Sequence, residues 1–234
     1  MKQVFSKVLL ASGLVMGLTA GAAQAQNITP PDAKRGETLY TQGDIQRGIL
    51  ACVACHGEKG NSMISMYPHI AGMPAGYIVS QLKNFQVPKG EKRSARMNPD
   101  GSPTPMAPIA AQMTEQDMQD LAAYISKQKL TNPAFAKQAA DLDFVHRGRD
   151  IWRAGIPERH VPACASCHGA EGKGMPDQFP FLSGQHPEYI LGQLQSFAEG
   201  HRVNGGAENM MGTIANRMSN ADMKAVADYA AGVR

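Results

Sequence analysis

The sequence predicts an all-α protein made of two similar domains in tandem. Three observations carry this. The first half repeats in the second, apolar residues recur at helical rather than alternating spacing, and all four cysteines fall in two copies of one five-residue motif, Cys52-Val53-Ala54-Cys55-His56 and Cys164-Ala165-Ser166-Cys167-His168. A shift of 112 positions, which lays Cys52 on Cys164, also brings Arg35-Gly36 onto Arg147-Gly148, Tyr40 onto Trp152 and Gly43 onto Gly155. After the motif it brings Gly57 onto Gly169, Tyr67-Pro68 onto Phe179-Pro180, Gly72 onto Gly184, Tyr77-Ile78 onto Tyr189-Ile190, Gln81-Leu82 onto Gln193-Leu194 and Phe85 onto Phe197. Further on the shift becomes 105, with Thr114 on Ser219, Asp117 on Asp222 and Tyr124 on Tyr229. The first half therefore carries seven extra residues between Phe85 and Met106.

Each half predicts the same elements in the same order. A first helix over 32–42 and 143–154 carries the Gly and aromatic pairs, with Asp32 placed to cap the first copy after two prolines. The cysteine motif follows on a short turn or helix. A middle helix over 75–86 and 187–199 has Tyr77, Ile78, Gln81, Leu82 and Phe85 at helical spacing. A last helix opens with a capping box at Thr114 or Ser219, and puts Met118, Leu121, Ala122 and Ile125 on one face in the first copy. Strand patterns find no support. The join falls within 128–136, where Thr131-Asn132-Pro133 stops a helix, giving domains at 26–130 and 137–234 with a linker at 131–136.

The repeated C-x-x-C-H motif is the attachment signature of c-type haem. Each cysteine forms a thioether with a haem vinyl group, and the adjacent histidine becomes the proximal ligand of the iron. Two motifs imply two covalent haems, on Cys52, Cys55 and His56 and on Cys164, Cys167 and His168. A four-cysteine zinc site needs no histidine after each pair, a redox dithiol expects a single pair in a βαβ setting, and structural disulfides give no reason for a histidine at one offset twice. Haem accounts for every cysteine and both histidines.

The iron's sixth ligand decides between carrying electrons and binding a substrate. Of 14 methionines, most serve as core filler. Counting back eight residues from the capping residues Thr114 and Ser219 reaches Met106 and Met211, a methionine in both halves, with Met210 the rival in the second. A neutral thioether favours ferrous iron and fills the coordination sphere, leaving no place for a substrate. His69, His146, His160, His186 and His201 each lack a histidine at the matching place in the other half. Pro68 and Pro180 lie twelve residues after the motif histidines, where a carbonyl can accept the imidazole Nδ1 proton; Tyr77, Gln81, Tyr189 and Gln193 are placed to reach haem propionates.

Residues 1–25 read as a secretory signal: Lys2 and Lys7, an apolar run over 8–20 too short to span a bilayer, and an Ala23-Gln24-Ala25 cleavage site, with cleavage after Ala25. Removing it takes two of the 23 basic residues, leaving 21 against 20 acidic ones. Such a balance gives no reason to expect nucleic acid or an acidic membrane surface as partner. Export suits covalent haem attachment and places the mature chain in the periplasm, without a transmembrane segment.

With these motifs in order twice, the chain resembles the dihaem cytochromes of the c4 family. The resemblance rests on both C-x-x-C-H motifs, the Y/F-P…G…Y-I-x-x-Q-L-x-x-F block in each half, and a methionine ahead of each capped last helix. It implies two class I cytochrome c domains about a pseudo-twofold axis, with one haem c in each. It also implies an electron carrier without substrate chemistry, in transient contact with membrane-bound redox complexes, that passes electrons from a quinol-oxidising complex to a terminal oxidase or other periplasmic acceptor. The alternatives are a dihaem enzyme with one open haem, of the thiosulfate dehydrogenase or peroxidase kind, and a permanent electron-transfer subunit of an oxidase or dehydrogenase. The seven-residue excess, in a Pro- and Met-rich stretch over 93–108, is expected to cover a haem edge, to offer a docking surface or to be a plain surface insertion.

Overall fold

A computed structural model describes residues 29–204 and 209–233. The signal expected over 1–25 lies outside them. Five helices in the first half, α1 (Ala33–Gln42), α2 (Val53–His56), α3 (Ala75–Phe85), α4 (Met106–Ala110) and α5 (Glu115–Ile125), are repeated as α6 (Leu142–Ala154), α7 (Ala165–His168), α8 (Pro187–Ala198), α9 (Met210–Ala215) and α10 (Asn220–Gly232). Among the described residues no strand forms, only isolated bridges. None of the helices described is long and apolar enough to cross a membrane.

Local chemistry starts each helix where the sequence leads one to expect. The Asp32 carboxylate accepts from the backbone N–H groups of Lys34 and Arg35 and so caps α1. In the second half the cap is Asp141, which accepts from Phe144 N–H at 3.1 Å, so α6 begins slightly earlier than the pattern indicates. Helices α5 and α10 both open with a closed capping box, Thr114 with Asp117 and Ser219 with Asp222.

Each half packs its first helix across its last, α1 on α5 and α6 on α10, with α3 or α8 against the same last helix. The repeated Arg-Gly pairs make the crossings possible. A Cβ built on Gly36 would stand 2.0 Å from the Asp120 carbonyl oxygen, and one on Gly148 would stand 2.4 Å from that of Ala225. Only glycine lets the helix backbones approach so closely. Beside it, Arg35 reaches Asp120 at 2.8 Å and Arg147 reaches Asp222 at 2.6 Å. The two halves hold separate apolar cores, one around Tyr40, Ile49, Met118 and Leu121, the other around Ile151, Trp152, Ile156 and Val226.

The halves meet along α3 and α8 and the segments that follow them. The first-half excess is divided: residues 87–93 are exposed, whereas Ser94 and Arg96 are buried. Arg96 forms an antiparallel bridge with Arg202, Met97 N–H donates to the His201 carbonyl at 2.8 Å, and Val203 N–H to that of Ala95 at 2.8 Å. This stretch is thus part insertion and part domain contact. Residues 128–141 run between the halves with backbone N–H groups held by both, Thr131 on Asn61 Oδ1 at 2.7 Å and Lys137 on Asp228 Oδ1 at 2.7 Å.

Candidate functional site

The two C-x-x-C-H motifs form matching single turns. In each, the histidine N–H donates to the carbonyl of the first cysteine at 2.9 Å, which winds the two thiols and the imidazole around one short axis. Gly57, at φ 72°, ends the first turn, and a Cβ there would meet the Asn61 carbonyl oxygen at 2.1 Å. The aromatic of the first helix pins the end of each turn: the Tyr40 hydroxyl donates to the Gly57 carbonyl at 2.7 Å, and Trp152 Nε1 to that of Ala170 at 3.0 Å. That shared task explains why the repeat places a tyrosine on a tryptophan.

Both imidazoles are oriented in the same way. His56 Nδ1 lies 3.0 Å from the Pro68 carbonyl oxygen, and His168 Nδ1 lies 3.0 Å from that of Pro180. A proton held on Nδ1 leaves the Nε2 lone pair for a metal. Tyr67 and Phe179, one residue before each proline, stand by the imidazoles with ring centroids 6.4 and 5.9 Å away. Burial pulls both imidazole pKa values down, and the carbonyl bonds oppose it in part. Burial likewise pushes the Cys52 and Cys164 thiols up to about 11.

Met106 opens α4 and packs partly buried against the first core, in the company of Cys52 and Val53. Met211 lies in α9 and packs against the second core, in the company of Cys164 and Ala165. Its neighbour Met210 is 54 % exposed. The short helices α4 and α9 are not evident from the sequence, since five or six residues fall below the length at which periodicity registers.

The four residues expected near propionates come together at the domain junction, where sequence reasoning overlooked two arginines. Arg96 donates to Gln81 Oε1 at 3.1 Å, to the Tyr189 hydroxyl at 3.1 Å and to Gln193 Oε1 at 2.7 Å. Arg202 donates to Gln193 Oε1 at 2.8 Å, to the Tyr77 hydroxyl at 3.1 Å and to Gln81 Oε1 at 2.9 Å. The signal was present but displaced: Arg96 and Arg202 are 106 apart, inside the stretch where the repeat shift changes from 112 to 105. Two of the unmatched histidines also meet here. His69 stacks on His186 with ring centroids 4.1 Å apart, and Gln185 brackets the His69 backbone with bonds of 2.9 and 2.8 Å.

The donor set suits covalently bound haem. Among the described residues the four cysteines form no disulfide, each pair shares one turn with an imidazole already oriented through Nδ1, and a methionine packs beside the same core in each half.

Comparison with known proteins agrees. The family model for cytochrome c matches twice, over residues 33–129 and 145–233. A cytochrome c4 of Azotobacter vinelandii is 35 % identical over 201 residues, covering 83 % of this chain and 91 % of its own. A thiosulfate dehydrogenase electron acceptor of Stutzerimonas stutzeri is 34 % identical over 215 residues, 92 % of this chain and 93 % of its own. The crystal structure of reduced cytochrome c4 from Pseudomonas stutzeri superposes with a TM-score of 0.72 at 31 % identity, covering 87 % of this chain and 100 % of that one. The chain belongs to the cytochrome c family, as a tandem electron-transfer member of the cytochrome c4 type with one covalently bound haem c in each half.

Proposed function

We propose that the protein is a periplasmic electron carrier with no substrate chemistry of its own. Cys52 and Cys55 would hold one haem through thioethers, with the His56 imidazole and the Met106 thioether as ligands to its iron; Cys164, Cys167, His168 and Met211 would do the same for the second. The observation that carries this reading is the likeness of the two sites: the same Nδ1-to-carbonyl distance of 3.0 Å in both, and a core-packed methionine in both. A dihaem enzyme needs one specialised iron, and the likeness of the two protein sites supports two equivalent ones instead. The exposure of Met210, at 54 %, supports Met211 as the second thioether ligand.

Bound haem supplies an iron that cycles between ferrous and ferric. The chain's own residues then do three things. The proline carbonyls hold the proton on imidazole Nδ1 and orient the ring; the methionines would supply a neutral thioether donor, which favours ferrous iron relative to a second imidazole; the packed cores hold both side chains in place. The likeness to cytochrome c4 supports a quinol-oxidising complex as donor and a terminal oxidase or other periplasmic protein as acceptor. The similarity to a relative named as a thiosulfate dehydrogenase electron acceptor supports a second donor, a dehydrogenase acting on a sulfur compound.

An optical spectrum of the reduced protein with and without carbon monoxide, with haem counted against protein, tests the reading. Two haems per chain that both refuse the gas are expected. One haem that binds it readily means an open iron and an enzyme.

A further inference from the structure

His69 is fully buried at the junction of the two halves, and among the described residues neither of its ring nitrogens bonds a protein group. Its face is covered by His186 of the second half, with ring centroids 4.1 Å apart and planes 22° from parallel. His186 in turn bonds into the first half, its Nε2 lying 3.2 Å from the Ser62 carbonyl oxygen. A carbonyl only accepts, so this nitrogen carries the proton. Ser62 is itself fully buried, and its hydroxyl lies 3.2 Å from the carbonyl oxygen of Cys55 and 3.1 Å from that of Ile64. His69 directly follows Pro68, whose carbonyl holds the His56 Nδ1 proton. The imidazole pair therefore meets the first C-x-x-C-H turn by two routes, through Ser62 to the backbone of Cys55 and through the Pro68–His69 peptide to His56.

Among the described residues nothing equivalent stands behind the second turn. Under the repeat shift of 112, Ser62 matches Gly174, His69 matches Phe181 and His186 matches Pro74. Glycine has no hydroxyl with which to reach the turn, and phenylalanine and proline side chains take up no proton. Gly174 instead donates its N–H to the His168 carbonyl at 2.7 Å. The two sites are alike in the imidazoles and the carbonyls that orient them, and they differ in the layer behind.

That layer has room for one proton and no more. His186 is half-buried, so solvent reaches it, and protonation at Nδ1 leaves the bond from Nε2 to Ser62 intact. Glu188 favours the charge, Lys137, itself ion-paired to Glu188, opposes it, and His69 faces it across the stack. A second charge 4.1 Å away, on the buried His69, is strongly unfavourable. We propose that His186 is a positioning residue of the second half for the first haem, and that with His69 it forms a proton site linked to that haem and not to the other. This rests on the dihaem reading above. When neutral, the pair holds the Ser62 loop against the Cys55 backbone; with a proton on His186, the added positive charge favours the ferrous state at the first site. Linkage runs both ways, so the pair takes a proton from water as an electron arrives from the donor protein and returns it as the electron leaves. One N–H bond forms and breaks, and nothing else. Burial lowers the proton affinity of both imidazoles, that of His69 to about 4 from 6.5, so the site works below pH 6.5.

The test is a spectroelectrochemical titration of wild-type holoprotein, H186Q and H186A between pH 4.5 and pH 8, with each potential assigned to its haem by proton NMR. The imidazole C–H signals of His69 and His186 are followed on the same samples, reduced and oxidised. In wild type the first potential is expected to be flat from pH 7 to pH 8 and to rise as pH falls below 6.5, without the second following it. The imidazole signals are expected to titrate at higher pH in the reduced sample than in the oxidised one. Glutamine keeps an N–H for the Ser62 carbonyl and takes no proton, so H186Q should keep the neutral-pH potential and lose the acid rise. Alanine removes both functions, so H186A should also move the first potential at pH 8. An acid rise that persists unchanged in H186Q, or that is equal at both haems, overturns the proton site. An H186A potential equal to wild type at pH 8 overturns the positioning role. If H186A does not assemble with two haems, wild type still decides: imidazole signals that titrate alike in both redox states overturn the linkage. Failure of the carrier reading appears as carbon monoxide binding at pH 7, where the pair is neutral, so the two failures are told apart.

Discussion

Replacing Gly36 by alanine probes the contact on which the first domain's packing turns. The new Cβ would lie 2.0 Å from the Asp120 carbonyl oxygen and 2.5 Å from its carbon, against roughly 3.4 Å for ordinary contact, so α1 and α5 must separate by more than 1 Å. The obstacle is helix backbone and cannot turn aside. Overpacking of this kind costs about 1–3 kcal/mol or more, and alanine returns about 1 kcal/mol of helix propensity. Separation also strains the Arg35–Asp120 pair at 2.8 Å and draws Tyr40 away from the Gly57 carbonyl, 2.7 Å off, which steadies the first C-x-x-C-H turn. A net loss of about 2 kcal/mol corresponds to a fall of roughly 4–8 °C in the melting midpoint of a chain this size. Far-ultraviolet circular dichroism and the Soret band, followed in one thermal scan, measure it. The sign decides: at an uncrowded helix position alanine for glycine raises the midpoint, and a midpoint at or above wild type refutes the close-crossing argument.

Three further outcomes are expected. Met211→Ala opens the second iron to carbon monoxide and lowers its potential, while Met210→Ala changes neither, as optical titration of the two variants reads directly. Acid sensitivity should trace in part to His69, which burial, with His186 stacked against it, pushes down to about 4 from 6.5. The unfolded chain takes up that proton and the native state refuses it, so stability is full above pH 6.5 and falls as pH drops from 6.5 through 4. The groups facing this pair are His186 itself, whose Nε2 lies 3.2 Å from the Ser62 carbonyl oxygen, and beyond it Glu188 and Lys137. His69→Phe should narrow the gap between urea midpoints at pH 7 and pH 4.5, and an unchanged gap counts against the assignment. Tyr40→Phe removes one bond to the Gly57 carbonyl and should cost about 1 kcal/mol in urea unfolding, with both haems retained.

Much of this architecture is legible in the sequence because its causes are local. Capping boxes at Thr114 and Ser219, the glycine after each haem motif and the periodic middle helices follow from neighbouring residues alone, and the repeat checks each twice. The proline carbonyls were legible for the same reason, since a fixed offset of twelve residues recurs. What escaped notice depends on pairs far apart in the chain. Arg96 and Arg202 look like scattered surface charge until the fold bridges them, and Arg96 is hidden further by the excess that breaks the alignment. His69 and His186 looked idle because neither has a histidine partner by repeat; their partner is each other, across the junction.

That last contact bears on why two near-identical halves dock in a single way. Position 69 matches Phe181 and position 185 matches Met73 under the repeat shift of 112. On one flank of the junction Phe181 packs against the first core, which includes Met73, an apolar contact that tolerates sliding. On the other flank Gln185 bonds both backbone groups of a fully buried His69. Those bonds tolerate little, because a slip leaves buried polar groups unpaired. The second half also caps the first: Asp177 Oδ1 accepts from Gly76 N–H at 2.8 Å, in the first turn of α3, where Pro74 offers no side-chain cap. The matching residue in the first half is Ser65, and α8 has no side-chain cap. The surroundings of the two irons are alike and the flanks of the junction are not. The directional bonds on the flanks therefore fix the register, and through it the distance between the two haem sites.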